Sequence, residues 1–521
     1  MEYLYSNLDD KNAKNFINNL ENLTLKEILL TGNLRGLKNC SIVFDYPISA
    51  ISGKNGTGKS TILALAACAY HNANDGFKPP LKKNSYYTFS DFFIQTASEI
   101  KQDGIIINYI FLSKWEGVIP DGPGMFTMQK KKNGKWSRYE NRPIKNVVYL
   151  GIERLVPQHE RQVYKTYRKK FHDQAELKEW YDDVALSVGQ ILGKKYDKYI
   201  IQTAGNYTLP IVSEKGKVYS GFNMGAGEKA LFELFSFIHQ CSIEKKPSLI
   251  LIDEIELGLH DEAQKKLIGV LKDICIPKRI QIICTTHSPT ILDALPPEGR
   301  YYIENAGRAT VITQKITSKY AAGRLAEENS SELDIFVEDE TAAIILETIL
   351  THEQRTRANL FPIGSYNAIC RQLAARHRVK SLKCIAIFDG DQTSIVTKLE
   401  KAFCDDLELS TKEAKEAPKK WFESVISFLP GPGWPEKWLL ETLKTCLNDV
   451  NVKVFGVSHD KMNTFLDKAI LAGKHNEFFE LGNLLAVGDR NTLKKDVTRL
   501  ISANKPNSFL AIQKIVSDNL V

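Results

Sequence analysis

The stretch that most constrains this chain is Gly53-Lys54-Asn55-Gly56-Thr57-Gly58-Lys59-Ser60. It fits the pattern G-x-x-x-x-G-K-[ST], which works only where a buried strand runs in and a helix runs out. Both flanks comply: YPISAIS reads as the strand and STILALAACAY as the helix. A strand–turn–helix unit of this kind belongs to an α/β fold with a mainly parallel sheet covered by helices. The glycines let backbone N–H groups wrap a phosphate chain, and the helix N-terminus faces its charge. In that arrangement Gly53, Asn55, Gly56 and Gly58 form the cradle and Lys59 reaches the outer phosphates. The hydroxyl of Ser60 holds Mg²⁺, and Thr61 completes the nucleotide contacts.

Three later segments supply the remaining parts of a nucleotide-hydrolysing site. PSLILIDEIELGLHD is a buried strand whose end delivers Asp253, for the Mg²⁺ shell, and Glu254, to polarise the attacking water. An acidic pair at a strand end is also a common turn, so it carries weight only in company. IICTTHSPTIL is a strand ending in His287, placed to sense the outer phosphate; a structural histidine is the plainer reading. NMGAGEKALFEL opens a helix on a glycine turn containing Gly225, Gly227 and Glu228. Around these, strands are expected at 27–52, 104–150 (with an Asn133-Gly134 hairpin turn), 198–220, 248–252 and 280–285. Helices are expected at 158–196, 226–243 and 261–274.

A second α/β pattern follows a polar stretch at 316–330 that reads as a linker. Strand IFVE at 335–338, helices at 341–354 and 366–377, and strand CIAIFD at 384–389 place Glu338, Asp389 and Asp391 at strand ends. Carboxylates at i and i+2 past a strand can turn to one side, which suits oxygen ligation of Mg²⁺; a Glu opposite them would complete a site for metal-assisted phosphodiester chemistry. The plainer reading of Asp-Gly-Asp is a solvated turn. Beyond 445 the pattern is helical. The expected organisation is therefore an ATPase domain at 1–315 with a helical insertion near 155–200, a linker at 316–330, a metal-binding α/β domain at 331–450, and a helical region at 451–521.

Composition narrows the setting. No run approaches the roughly 18 consecutive apolar residues that a membrane helix needs, and the polar start MEYLYSNLDDKNAKN is unlike a secretory signal. Nine cysteines without a CxxC pair read as reduced thiols, so a cytoplasmic location without membrane partners is expected. The net charge of +7 is uneven: residues 121–170 hold 13 Lys and Arg against 4 acids, net +9. With Tyr164 and Tyr167 interleaved, such a stretch suits phosphate binding to DNA. An accessory protein, a tethered RNA, or a merely solvated hairpin and helix face would account for the same charge.

The four nucleotide segments in this order resemble the ATP-binding-cassette ATPases, especially the branch related to chromosome-maintenance and DNA-repair ATPases. The resemblance implies a homodimer or higher oligomer of heads closing around ATP, with the 224–228 turn of one copy capping phosphates held by the other. Gly225 replaces the usual serine of that turn, removing one hydroxyl contact; Gln95 is a candidate Mg²⁺-sensing loop glutamine. The second pattern looks like a TOPRIM domain, and the two together resemble the OLD (overcoming lysogenization defect) family of ATP-dependent nucleases. That resemblance implies Mg²⁺- or Mn²⁺-dependent DNA cleavage in bacterial anti-phage defence, sometimes with an accessory protein or a retron's RNA or DNA. It places further metal ligands at Glu436 or Glu441 of FLPGPGWPEKWLLETL and an assisting base at Lys494 or Lys495. Where the family often has a second glutamate, this chain has Ala342. The losses at Gly225 and Ala342 suit an alternative: an ATP-binding sensor or scaffold whose TOPRIM unit binds without cutting. A transporter ATPase subunit would leave the second unit without a role.

Overall fold

The structure is a computed structural model that describes all residues except 1–2, 74–75, 80–81, 95, 97, 100–103, 113–124, 131–135, 137–140, 153–170, 174–177, 205–206, 244–245, 308, 327–330, 380–382, 410 and 521. It forms two compact units, Glu2–Glu328 and Asn329–Val521.

In the first unit a six-stranded sheet runs in the order Ala309–Gln314, Arg300–Ala306, Ile48–Gly53, Ile280–Thr285, Ser248–Ile252, Asn146–Leu150. All neighbours are parallel except the antiparallel edge strand Ala309–Gln314. The three central strands are buried at every position, as a sheet covered on both faces requires. Strand alternation sorts their side chains. Ile51, Leu249, Leu251 and Ile283 pack on one face with Ile62, Leu65 and Ala66 of the helix Lys59–Ala67 and with an antiparallel sheet that includes Thr24–Leu34 and Leu37–Val43. Ala50, Ile250, Ile252, Ile282 and Cys284 pack on the other, against the helices Tyr181–Leu192, Ala226–Cys241 and Asp261–Cys275.

The expected linker at 316–330 instead contains the helix Ser318–Ala326. Its Tyr320 and Ala321 are buried in the core of the first unit, Tyr320 edge-on to Tyr302 at 5.6 Å. The Asn133-Gly134 turn and much of the expected insertion near 155–200 lie outside the described residues, although the helix Tyr181–Leu192 covers its end.

The second unit holds a four-stranded, all-parallel sheet in the order Ala358–Pro362, Leu333–Val337, Lys383–Phe388, Ile426–Phe428. One apolar core extends from Leu333 to Leu520, so the helices past 450 do not form a region of their own. The reason is visible in the helix Arg490–Asn504, where Leu493, Val497 and Ile501 recur every four residues and make one buried stripe. All nine cysteines are free thiols. Among the described residues no helix is long and apolar enough to cross a membrane.

Candidate functional sites

In the first unit the loop after Ile48–Gly53 is shaped by glycine where no other residue fits. Gly53 has φ 155°, and a Cβ there would lie 2.4 Å from the Ile303 carbonyl oxygen on the neighbouring strand. Gly58, at φ 102°, would drive a Cβ to 2.5 Å from Leu37. Asn55, Gly56 and Ser60 are exposed at the rim, while Thr61 is buried in the helix behind them. Lys59 is buried and its ammonium folds over the loop, donating to the carbonyls of Gly53 (2.7 Å) and Lys54 (3.1 Å). Burial pushes its pKa below the usual lysine value even though Glu254, Asp253 and Glu256 pull the other way. A phosphate in the loop would provide the close countercharge that carbonyl dipoles only approximate.

Asp253 receives three hydroxyl hydrogen bonds: Ser60 (3.2 Å) and Thr285 (2.6 Å) donate to Oδ1, and Tyr149 (3.4 Å) to Oδ2. Thr285 also accepts the N–H of Glu254 at 2.8 Å, which fixes that residue in the left-handed region, φ 50°. The His287 N–H donates to Glu256 at 2.6 Å, tying the third sequence segment to the loop after the acidic pair. Glu256, two residues past Glu254, was absent from the sequence expectations; its spacing was the available signal. Gly225 caps the helix Ala226–Cys241 with open space around it, nothing lying within 4 Å of a Cβ. Gly227 backs directly onto the turn after the acidic pair, where a Cβ would lie 2.1 Å from the Gly258 carbonyl. Glu228 is engaged within its own chain, accepting from Lys194 (2.9 Å), Tyr219 (2.9 Å) and Tyr196. Burial alone would raise its pKa, but these hydrogen bonds outweigh it and hold the carboxyl below the usual range. Gln95 lies outside the described residues.

Two cations of the 121–170 stretch are removed from any phosphate-binding surface. Arg142 is buried and donates to the carbonyls of Cys68 (2.8 Å) and Tyr87 (3.0 Å). Lys145 is buried, donates to the Leu23 carbonyl at 3.1 Å, and is pushed down to about 7 by burial and then by Arg279. Charge counting could not separate these structural cations from exposed ones. The other cations of the stretch lie outside the residues whose side chains are described.

In the second unit parallel pairing of Val337 with Ile387 sets two strand ends side by side. Glu338 and Asp389 follow those ends, and the Asp389 N–H donates to Glu338 at 3.3 Å. Asp391 lies in the next turn, accepting from Gln392 at 3.0 Å with Lys474 at 3.9 Å. Gly390 leaves no room for a side chain, since a Cβ would lie 2.1 Å from the Gly431 carbonyl. That contact seats the loop leading to the helix Pro435–Cys446. In its first turn Glu436 is buried and accepts from Thr341 at 2.7 Å, with Lys494 and His475 each at 3.8 Å. Glu441, about 140° further round the helix, is exposed beside Lys437. Lys494 donates to Thr341 at 2.6 Å, whereas Lys495 pairs with Glu347 at 3.1 Å. Ala342 is wholly buried in the apolar core.

Two oxygens of this cluster, Asp389 Oδ1 and Glu436 Oε2, are buried without a hydrogen-bond partner. Burial, reinforced by Glu338, Asp339, Asp391 and Glu436, pushes the Asp389 carboxyl up to about 8. Burial also raises Glu338; the Asp389 N–H opposes this, while Asp391 and Asp339 reinforce it. Five carboxylates against Lys474 and Lys494 make a charge excess that a proton or a divalent cation relieves. The donor set and the orphaned oxygens fit a cation. Asp339, Thr341, Lys474 and His475 escaped the sequence reading, although Asp339 adjoins Glu338.

Residues 211–293 match the family described as "AAA domain, putative AbiEii toxin, Type IV TA system". The Septu protein PtuA of Bacillus thuringiensis is 24% identical over 314 residues, covering 52% of this chain and 74% of its own length. Among solved structures, the SMC head domain from Thermotoga maritima is similar at TM-score 0.33 and 15% identity, over 56% of this chain and 99% of that one. An SmcHead bound to the C-winged helix domain of ScpA gives TM-score 0.36 and 16% identity, over 56% of this chain and 98% of that one.

Proposed function

We propose that the first unit is an ATPase domain of the AAA/ABC type that takes ATP with Mg²⁺, a reading supported by the family match over residues 211–293. We propose that the whole chain is an ATP-controlled, Mg²⁺-dependent DNA endonuclease of the OLD type with a TOPRIM-like second unit, acting in anti-phage defence. The observation that carries the nuclease reading is the pair of buried, unpartnered carboxylate oxygens on Asp389 and Glu436, in a cluster where the Asp389 and Glu338 carboxyls are raised. The order of parts, ATPase then strand-end carboxylates, supports the family; the likeness to a Septu protein supports the defence setting.

Glu338, Asp389, Asp391 and Glu436 would hold the cation. When bound, Mg²⁺ supplies Lewis-acid polarisation of a phosphodiester and a more acidic water. The chain's own contribution is to orient those carboxylates through the Asp389 N–H and Thr341, and to place the Lys494 ammonium where charge gathers on a phosphate. In the first unit Lys59 and Ser60 bind the nucleotide, Asp253 orients the Ser60 hydroxyl, Glu254 receives the proton of the attacking water, and His287 senses the outer phosphate. Heads of two copies close around ATP, and the closure controls cleavage to the extent that ATP binds the open and closed arrangements with different affinity.

Cleavage of plasmid or phage DNA with Mg²⁺ or Mn²⁺ by the wild type and Asp389→Ala tests this; equal cutting by both removes the second unit from the chemistry. The scaffold alternative draws on Gly225, where a hydroxyl is missing, and Ala342, where a carboxylate is. It gains if the chain never nicks DNA or RNA, alone or with its operon neighbours.

A further inference from the structure

We propose that Trp434 is a stacking platform for an unpaired nucleobase, and that Lys437 and Lys474 take the phosphates on either side of that base. The proposal rests on the reading of the second unit as a nuclease, and it names the form of DNA that unit grips: a single-stranded segment.

The ring is set in place before any ligand arrives. Pro435 restricts the residue before it to extended backbone, and Trp434 has φ −69° and ψ 155°. It stands just ahead of the helix Pro435–Cys446 and stays partly exposed. Its Nε1–H donates to Glu477 at 2.5 Å. Glu477 is wholly buried, and its other oxygen has no hydrogen-bond partner. A buried carboxylate is a costlier acceptor than a backbone carbonyl. What it supplies is a short, charge-assisted bond that fixes the plane of the indole. A ring already fixed loses little freedom when a base stacks on it.

Two cations flank this ring. Lys437 Nζ lies 5.3 Å and Lys474 Nζ 5.6 Å from its centroid. Both side chains are exposed, and their carboxylate partners are distant: Glu441 is 3.8 Å from Lys437, and Asp391 is 3.9 Å from Lys474. Exposed pairs of that length hold little, so each ammonium is free to swing from the ring to a phosphate. An aromatic face with cations beside it is the combination that binds single strands. In a closed duplex the bases stack on one another and offer the ring no face.

The fold ties this platform to the carboxylates. Gly390, between Asp389 and Asp391, packs on the Gly431 carbonyl, and Trp434 follows three residues later in the same loop. Lys474 reaches both the ring and Asp391. Ring and metal ligands thus stand around one ammonium, so a nucleotide stacked on Trp434 brings its phosphate toward Asp391.

The test is binding of a fluorescein-labelled single-stranded DNA, and of the blunt duplex of the same sequence, to the full chain with Ca²⁺ in place of Mg²⁺. Fluorescence anisotropy should show the wild type holding the single strand more tightly than the duplex. Trp434→Leu should weaken single-strand binding about five- to a hundredfold and leave duplex binding within about twofold. Lys437→Met and Lys474→Met should each lower the salt dependence of single-strand binding by roughly 0.7 in slope. Because Trp434→Leu also unpairs Glu477, a second measurement uses the wild type alone. A single strand carrying 5-iodouracil, irradiated on the protein, should crosslink to the peptide that contains Trp434. Equal single-strand affinity in wild type and Trp434→Leu, with the crosslink on another peptide, overturns the platform; cutting that still depends on Asp389 then leaves the nuclease reading standing. A chain that binds neither form of DNA and cuts none sinks both.

Discussion

Asp253 and Asp389 occupy the same kind of position, each just past the end of a buried parallel strand, and are equally buried at 7% and 8% exposure. Their surroundings are opposite. Asp253 accepts from three hydroxyls, whereas one oxygen of Asp389 accepts nothing and its carboxyl is pushed up to about 8. Equal burial therefore leaves the two carboxylates differently satisfied; the donors placed around each decide it. The ATPase unit holds its acid ready with neutral donors. The second unit gathers acids whose mutual repulsion only an added positive charge removes.

The sharpest way to break this contrast is to neutralise each aspartate. Asp389→Asn should abolish Mg²⁺-dependent DNA cleavage, by roughly a thousandfold or more given the several kcal/mol a metal contributes, while raising the melting temperature of chelator-treated protein. Asp253→Ala should abolish ATP turnover and lower the melting temperature, since hydroxyls left unpaired cost about 1–3 kcal/mol each. Thermal melts with and without chelator check both signs. A lower melting temperature for metal-free Asp389→Asn would mean the cluster is not repulsive.

Next in size, Glu254→Gln should reduce ATP turnover by roughly 10²–10⁴-fold, the range for a lost general base. Binding of a fluorescent ATP analogue should persist, because the Glu254 backbone N–H, not its carboxylate, makes the bond to Thr285. If binding and turnover fall together, Glu254 has a structural task instead.

How far the sequence revealed these sites follows the same division. The glycine loop and buried strand ends announce themselves through spacing, so Lys59, Ser60, Asp253, Glu338 and Asp389 could be placed without coordinates. Asp339 and His475 could not, because the elements that bring them to Glu436 lie more than thirty residues from it along the chain. The tail past 450 read as separate because an amphipathic stripe such as Leu493, Val497 and Ile501 tells that a helix is buried, but not against what. Lys145 looked like surface charge for the same reason: burial is a tertiary fact.

Lys145 and Asp389 also make the two units titrate in opposite senses when metal-free. Lys145 ionises near 7 in the fold and about 10.4 unfolded. Between those values the unfolded chain binds more protons, so the ATPase unit gains stability as pH rises. Asp389 ionises near 8 folded and about 4 unfolded. There the folded chain binds more protons, so the second unit loses stability from about pH 4 to 8. Hydrogen exchange resolved by peptide, in chelator and corrected for intrinsic rates, should show protection in the two units moving apart in this way. Saturating Mn²⁺ should flatten the second slope, and parallel slopes would mean neither group dominates its unit.

The smallest effect concerns Gly225, where the resemblance to ATP-binding-cassette ATPases implies a serine hydroxyl. Gly225 stands at the N-cap of Ala226–Cys241 with extended backbone, φ −60° and ψ 151°, and nothing within 4 Å of a Cβ. Gly225→Ser therefore enters without strain, and a serine cap should add a few tenths of a kcal/mol over glycine. If this turn also caps ATP held by a second copy, the restored hydroxyl should raise ATP turnover a few-fold, and only at protein concentrations that favour association. Turnover and melting temperature measured across a dilution series distinguish the two roles. A melting gain with concentration-independent, unchanged turnover confines Gly225 to its own helix; a turnover gain that fades on dilution places the turn against a partner's phosphates and marks Gly225 as a brake on hydrolysis.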